Sequence, residues 1–179
     1  MKRFILTIIL ALCVMTTAPS SAFAADNLSQ ATRARIENDL VRELGPRVGV
    51  FDYISFQVDG NGTVTLYGQV RDALLKRHAA EDARKVEGVK RIQNEIEVLP
   101  LVPADDNIRR AVYVSIYSQN GFERYRTRAV PPVHIIVKNG SVTLEGFVAN
   151  KLEYAQVRAA ANNVPGVFTV KNNLQIDKE

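Results

Sequence analysis

One ten-residue motif occurs twice in this chain. Residues 61–70, NGTVTLYGQV, return 78 positions later as residues 139–148, NGSVTLEGFV. The same offset relates five further positions in each copy, so that Ala83, Val86, Gly88, Val89 and Asn94 match Ala161, Val164, Gly166, Val167 and Asn172. Because the period is far longer than one turn of a solenoid, it predicts a whole domain that has been duplicated. The recurring residues are apolar residues, turn glycines and an asparagine, which carry structure rather than reaction chemistry.

Each copy has the same predicted order of helix, strand, strand, helix and strand. The helices show apolar residues at helical spacing, and the strands show alternation across a turn. We therefore expect an α+β fold of two domains, each with a three-stranded sheet covered on one face by two helices. The predicted boundaries are residues 25–99 for the first domain, 100–104 for a proline-containing linker and 105–179 for the second domain.

The two hairpins are expected to differ in their turns, because core-facing side chains must share one face of the ladder. In the second copy a two-residue Asn139-Gly140 turn pairs Val137 with Val142. In the first copy a three-residue turn at 60–62 is needed to pair Val58 with Val64. This register directs His134 and Ile136 away from the helices of their own domain.

Four glycines are assigned structural roles. Gly88 and Gly166 end the second helix of each copy. Gly68 and Gly146 lie in the middle of strands, where glycine is unfavourable, so something must approach closely. We expect that a helix crosses above these two glycines and leaves no room for a side chain.

Residues 1–24 are typical of an export signal. Lys2 and Arg3 precede an apolar run, and Ala22-Phe23-Ala24 is a small-x-small cleavage site. We expect cleavage after Ala24 and a periplasmic protein, with no transmembrane segment in the mature chain because the apolar run is too short. Cys13 is the only cysteine. Lipidation there is the alternative, but Leu12 is larger than the residue that precedes a lipidated cysteine.

The charge of the mature chain is close to balanced. It has 21 basic and 19 acidic residues, a net charge of +2, and the excess lies in the second half, with 10 basic and 7 acidic residues after Pro100. Nucleic-acid binding is therefore not expected.

No motif in the chain predicts an enzyme, a metal site or a cofactor. The mature chain has two histidines, His78 and His134, which we expect to face solvent because neither lies at ligand spacing from another candidate ligand. No serine lies in a Gly-x-Ser-x-Gly or Ser-x-x-Lys motif. Asp105 and Asp106 are expected to cap a helix. The other predicted helix caps are Ser29, Asp72 and the capping box Asn150-Lys151-Leu152-Glu153.

The repeated series of Val-x-Leu-x-Gly-x-Val, a helix, Gly-Val and a strand with Asn resembles the BON domain, named for bacterial osmotically induced and nodulation proteins. The resemblance covers roughly 29–99 and 105–177. It implies an envelope protein of two such domains, similar to stress-associated periplasmic members, that binds phospholipid or other envelope surfaces. Tandem relatives held at the outer membrane are lipoproteins.

One segment of the second copy combines arginines with aromatic residues, which suits an anionic phospholipid surface. The candidate binding residues are Arg109, Arg110, Tyr113, Tyr117, Phe122, Arg124, Tyr125, Arg126 and Arg128. The alternative is a solvated connection whose aromatic residues Tyr113, Tyr117 and Phe122 lie in the core.

A second candidate surface is the outer sheet face of the second copy, with His134, Ile136 and Phe147. The first copy has Gln57 and Gln69 where this face has Ile136 and Phe147. An apolar face of this kind predicts docking on another envelope protein. A chaperone-like holding function rests on the family resemblance alone.

Overall fold

The computed structural model describes residues 27–126, 128 and 131–177, and it has two α+β domains. The predicted export signal and Cys13 lie outside the described residues. The first domain consists of α1 (Gln30–Leu44), β1 (Tyr53–Val58), β2 (Thr63–Val70), α2 (Ala73–Lys85), β3 (Arg91–Asn94) and β4 (Glu97–Val98). The second consists of α3 (Pro103–Tyr117), α4 (Glu123–Arg126), β5 (Val133–Lys138), β6 (Ser141–Val148), α5 (Lys151–Asn162), β7 (Thr169–Asn172) and β8 (Gln175–Ile176).

Both sheets have the same topology. In the first, β2 is central, β1 pairs with it antiparallel, and β3 and β4 pair with it parallel on the other side. The two short segments share one register, since Thr63 lies opposite Arg91 and Gln69 opposite Glu97. The predicted third strand is therefore present as two collinear pieces, and β7 and β8 repeat this arrangement on β6.

Two helices cover one face of each sheet, as the sequence predicts. In the first domain Ile36 and Leu40 of α1 and Ala83 of α2 pack with Val64 and Leu66 of β2 in one core. The corresponding core of the second domain is built from α3, α5 and the β5–β6 hairpin.

The helices begin at the predicted caps in three cases and not in the fourth. Ser29, Asp72 and Asn150 each accept a hydrogen bond from a backbone N–H in the first turn of α1, α2 and α5. Helix α3 begins at Pro103 without a side-chain cap. The expected cap by Asp105 is wrong, because the buried Asp105 carboxylate instead accepts from the N–H groups of Asn139 and Gly140, both at 2.8 Å, and holds the hairpin turn.

The different hairpin turns are confirmed. Val58 lies opposite Val64, and Asp59 N–H donates to Thr63 at 2.9 Å, which leaves residues 60–62 as a three-residue turn. Val137 lies opposite Val142, and both residues of the second turn have positive φ, 51° at Asn139 and 73° at Gly140. Those angles define the type I′ turn that a two-residue hairpin favours.

The reason proposed for the mid-strand glycines is wrong. A Cβ on Gly68 would lie 2.1 Å from the carbonyl oxygen of Tyr53, and one on Gly146 would lie 2.0 Å from that of Pro132. Both glycines also have positive φ, 127° and 109°. The adjacent backbone in the sheet, at Tyr53 of β1 and at Pro132 just before β5, excludes a side chain at these positions. A helix does not.

The two domains pack against each other through the loop before β1 and the edge of β5. Ile135 N–H donates to the carbonyl of Val50 at 2.7 Å, and the carbonyl of Gly49 lies 3.1 Å from Nδ1 of His134. Phe51 packs against the core of the second domain, and its ring forms a T-shaped contact with that of Tyr113, with centroids 6.0 Å apart. The first domain thus packs an aromatic residue against the core of the second.

Candidate functional site

The structure separates the predicted lipid-binding residues into a core group and a surface group. Arg109, Tyr117, Phe122 and Tyr125 are buried, and Tyr113 is half-buried. Arg110, Arg124 and Arg128 are exposed. The side chain of Arg126 lies outside the described part of the chain. The alternative that places Tyr113, Tyr117 and Phe122 in the core therefore matches their positions.

Arg109 is a structural residue. Its side chain is 1% exposed, and its guanidinium donates to the carbonyl of Val137 and to the carboxylate of Asp106. Asp106 also lies 3.7 Å from the guanidinium of Arg71 in the first domain. Arg109 consequently cannot contact a membrane from this position. The sequence feature that indicates this role is Asp106, which lies three residues before Arg109, the spacing of an ion pair on a helix.

Tyr117 is a second core residue with a polar contact. Its hydroxyl donates to the carbonyl of Val133 at 2.9 Å, and burial raises the pKa of the phenol well above its ordinary value. Tyr117 therefore stays neutral, and its hydroxyl provides a hydrogen-bond partner for a backbone carbonyl at the outer edge of β5. The sequence left both a surface and a core position open for this ring, because aromatic residues near arginines are also common at headgroup boundaries.

Two exposed arginines meet at the ring of Tyr125. The guanidinium carbons of Arg124 and Arg128 lie 4.6 and 5.3 Å from its centroid, within the range of cation–π attraction. The Tyr125 hydroxyl donates to Glu153 at 2.9 Å, and Arg124 forms an ion pair with the same carboxylate. Glu153 also accepts from the N–H of Ala149 at 3.0 Å.

Glu153 therefore positions the arginine cluster. The sequence identifies this residue as part of a helix-capping box, but not as the partner of Tyr125 and Arg124. Glu153 is 8% exposed and lies in the first turn of α5, where the helix dipole favours a negative charge. The carboxylate thus ties the arginine segment to the first turn of α5.

A surface cleft of about 400 Å³ lies beside this cluster. Its lining residues are Arg124, Tyr125, Arg128, Pro132, Phe147, Val148, Ala149, Asn150, Glu153 and Asp177. Phe147 is 51% exposed, and Leu152 in the adjoining turn of α5 is 68% exposed. The cleft combines cationic groups with exposed apolar groups, although Asp177 contributes a negative charge.

Arg110 does not belong to this cluster. It donates to Asn107 in the first half of α3 and lines a shallow surface with Asn163 and Pro165, which follow the last turn of α5. The arginine cluster instead adjoins the first turn of α5. The 12 residues of α5 therefore separate the two sites by about 18 Å at 1.5 Å per residue.

The residues predicted for the outer sheet face of the second domain also differ in their exposure. Ile136 is 3% exposed and lies beside Gln69 and Leu99 of the first domain, so its expected exposure is wrong.

His134 is buried against Gly49 and the ring of Tyr53, so its expected contact with solvent is wrong too. Burial lowers the pKa of His134 below its ordinary value. Phe147 remains exposed. The alternation along the strand predicted which side of the sheet His134 and Ile136 face. It did not predict that the first domain covers that side.

Neither a metal cluster nor a membrane-spanning helix occurs in the described part of the chain. Within residues 27–126, 128 and 131–177, no three histidine, cysteine or acidic residues lie together as a metal site would require. Over that same part of the chain, no helix has the length and apolar character needed to cross a bilayer.

Among known proteins, the chain is similar to an outer membrane lipoprotein and, at low identity, to two solved structures. The outer membrane lipoprotein DolP of Haemophilus influenzae is 29% identical over 143 residues, which cover 80% of this chain and 68% of DolP. Two structures of CdsD, a structural protein of the type III secretion system of Chlamydia trachomatis, are 15% and 14% identical. Their TM-scores are 0.32 and 0.33, and the matches cover 78% and 79% of this chain and 92% and 96% of those chains.

The family assignment rests on both halves of the chain. The family model of the BON domain matches residues 26–100 and again residues 105–178. Together these spans include most of the sequence and both copies of the repeat. The chain therefore belongs to the BON-domain family.

Proposed function

We propose that this protein is a non-enzymatic binding protein of the bacterial envelope that associates weakly with anionic phospholipid through its second domain. Membership of the BON family and similarity to a protein named as an outer membrane lipoprotein support an envelope location. The observation that carries the lipid proposal is the exposed pair Arg124 and Arg128 over Tyr125, beside exposed Phe147.

The chemistry of this cluster suits a headgroup boundary. A guanidinium can donate two parallel hydrogen bonds to one phosphate, and an exposed aromatic ring is favourable at the level of the headgroups. The hydrogen bond that Arg124 donates to the Tyr125 hydroxyl and the ion pair with Glu153 hold Arg124 in place before any ligand arrives. Because the cluster contains few cations, attachment should be weak and should decrease as salt screens the charges.

Cosedimentation with vesicles tests the proposal. The chain from residue 25 to residue 179 should sediment with vesicles that contain phosphatidylglycerol at low salt, and much less with pure phosphatidylcholine or at high salt. The double variant Arg124→Gln, Arg128→Gln should lose binding. The double variant Arg84→Gln, Arg91→Gln is the matched control, because it removes the same charge from two exposed arginines of the first domain.

Two results would contradict the lipid proposal. One is equal sedimentation with anionic and neutral vesicles, and the other is an Arg124, Arg128 variant that binds as well as the Arg84, Arg91 control. Circular dichroism of the Arg124, Arg128 variant would show whether the loss of the Glu153 partner has altered the fold.

The state of the N-terminus separates two modes of attachment. We propose cleavage after Ala24, which yields a periplasmic chain that starts at Ala25 and binds membranes reversibly. Intact mass spectrometry of the protein from its native host should then give the mass of unmodified residues 25–179. A mass that corresponds to an acylated chain starting at Cys13 would show permanent anchoring instead.

A further inference from the structure

The turn of each hairpin contains an asparagine followed by a glycine. These pairs are Asn61-Gly62 in the first domain and Asn139-Gly140 in the second. Such a pair is prone to deamidation, because glycine has no side chain that hinders attack of its backbone nitrogen on the asparagine amide. The duplicated fold therefore carries the same reactive pair at two equivalent positions in different surroundings.

A buried carboxylate holds the backbone of the second turn. Asp105 is 1% exposed and accepts hydrogen bonds from the N–H groups of Asn139 and Gly140, both at 2.8 Å. The Gly140 nitrogen is the atom that would attack Asn139, and it donates its proton to a charged acceptor, which makes a strong hydrogen bond. Gly140 is also buried, and the ring of Phe168 lies beside it. The Gly140 nitrogen is therefore held away from the reaction.

The first turn holds the corresponding nitrogen less tightly. The Gly62 N–H donates to the carbonyl of Asp59 at 3.4 Å, which is near the limit for a hydrogen bond. The Asp59 carboxylate accepts from the N–H groups of Asn61 and Thr63 at 2.8 and 2.7 Å, so its bonds go to the residues on either side of that glycine. Asn61 is exposed to solvent, which supplies the water and hydroxide that deamidation needs.

A residue of α1 explains this difference. Ile36 of α1 and Ile108 of α3 each lie beside the glycine that follows the second helix of their own domain, so the two helices align at an offset of 72 residues. At that offset Arg33 stands where the second domain has Asp105. A guanidinium has hydrogen-bond donors and no acceptor, so Arg33 cannot bind a backbone N–H as Asp105 does.

We propose that Asn61 is a site of spontaneous deamidation and that Asn139, in the equivalent turn, is protected from it by Asp105. Hydroxide removes the proton of the Gly62 nitrogen, which then attacks the side-chain carbonyl carbon of Asn61. The new C–N bond closes a succinimide ring, the bond to the side-chain nitrogen breaks, and that nitrogen takes a proton from water and leaves as ammonia. Water then opens the ring at either carbonyl and gives aspartate or isoaspartate.

Deamidation would alter the turn of the first domain and leave that of the second intact. Both products place a new negative charge two residues from the exposed Asp59, and like charges repel. Isoaspartate also lengthens the backbone by one atom, because the side-chain methylene carbon becomes part of the main chain. The turn sets the register that pairs Val58 with Val64, so the longer backbone should loosen the β1–β2 hairpin.

Peptide mapping by mass spectrometry tests this inference. The chain of residues 25–179 is incubated in warm, mildly alkaline buffer and then digested with trypsin. Asn61 is the only asparagine of the tryptic peptide 48–71, and fragment ions separate Asn139 from Asn150 in the peptide 139–151. A third Asn-Gly pair, at 120–121, lies in the peptide 111–124 and does not enter the comparison.

In the folded chain, Asn61 should be deamidated at least about tenfold faster than Asn139, because the second turn must first break its bonds to a charged acceptor. The same chain in guanidinium chloride is the control. There the two pairs have lost their different surroundings, and their rates should become similar.

The variant Asp105→Asn tests the source of the protection. It keeps the size of the side chain and removes the charged acceptor, so Asn139 should be deamidated about tenfold faster than in the unaltered chain. Asn61 should keep its rate. Circular dichroism would show that the variant is folded, and Asn61→Gln should abolish the signal from the peptide 48–71.

Four outcomes would overturn the inference. They are equal deamidation of the two asparagines in the folded chain, a difference that persists in guanidinium chloride, an unchanged rate at Asn139 in folded Asp105→Asn, and an Asn61 that reacts only in the denatured chain. None of these readouts uses vesicles, so a failure here leaves the lipid experiment to be judged on its own result.

Discussion

The edge strands of the two domains show how a duplicated fold can diverge while its core stays the same. β1 and β5 lie in equivalent positions, and both pair antiparallel with a central strand that carries the same motif. The connection before β5 has 15 residues, whereas the one before β1 has 8. The longer connection contains the arginine cluster, and the shorter one reaches across to the edge of β5.

This difference assigns separate roles to the two copies. The second domain uses its edge strand to hold the first domain, through Ile135 and His134. In the first domain, residues of β1 instead line a groove between the two domains. Repetition of a fold thus places equivalent edge strands in different surroundings.

The largest expected effects test whether the two cores are equivalent. Leu66 and Leu144 occupy the same position in the repeat and are both 0% exposed. Leu66→Ala and Leu144→Ala should each lower the free energy of unfolding by about 2–5 kcal/mol through lost burial and the cavity that remains. Urea unfolding followed through the amide NMR signals of each domain would measure this. Leu152→Ala is the exposed control, and a large asymmetry between the two core variants would break the equivalence.

The mid-strand glycines should show a somewhat smaller effect, again in both copies. Gly68→Ala and Gly146→Ala place a Cβ against a carbonyl oxygen at positive φ, which should cost about 1–3 kcal/mol. Gly45→Ala should not destabilise the protein, because its backbone is helical and its surroundings are open. Thermal unfolding of the three variants gives the comparison. Tolerance of alanine at either strand position would contradict the close approach seen at Gly68 and Gly146.

The smallest expected effect is the pH response of the joint between the domains. Because burial lowers the pKa of His134, the folded chain binds fewer protons than the unfolded chain in mild acid. The stability contributed by neutral His134 should be present above about pH 6.5 and should be lost as the pH falls through the lowered pKa. Asp52 and the Gly49 carbonyl face the ring and oppose part of this loss.

Melting temperatures between about pH 7.5 and pH 5 would measure that response. His134→Gln, which retains a donor for the Gly49 carbonyl, should show a weaker pH dependence than the unaltered chain. His78→Gln is the matched control on α2. An unaltered pH dependence in His134→Gln would show that other groups control the response.

The sequence predicts the fold well because its signals are local. Side chains alternate along a strand with a period of two, so the pattern alone pairs Val58 with Val64 and Val137 with Val142. The helix caps at Ser29, Asp72 and Asn150 follow from residue type and position. The reason for the two mid-strand glycines was missed because it depends on where a neighbouring carbonyl lies, which no sequence pattern reports.

The candidate site was predicted less well for a related reason. Periodicity shows which side of a strand faces the helices of its own domain. It correctly predicted that His134 and Ile136 lie on the other side. Whether that side meets solvent depends on the first domain, which lies far away in sequence. The arginine segment was found from composition, but the burial of Arg109 depends on contacts with Val137 and Asp106 that composition does not contain.

Native-state hydrogen exchange tests the joint between the two domains most directly. The Ile135 amide donates to the Val50 carbonyl, and the adjacent Phe51 packs against the core of the second domain. Phe51→Ala should therefore loosen this contact and speed the exchange of the Ile135 amide by about tenfold or more, while the amides of the β2–β3 ladder keep their rates. Unchanged exchange at Ile135 in this variant would contradict a joint that is held by the loop before β1.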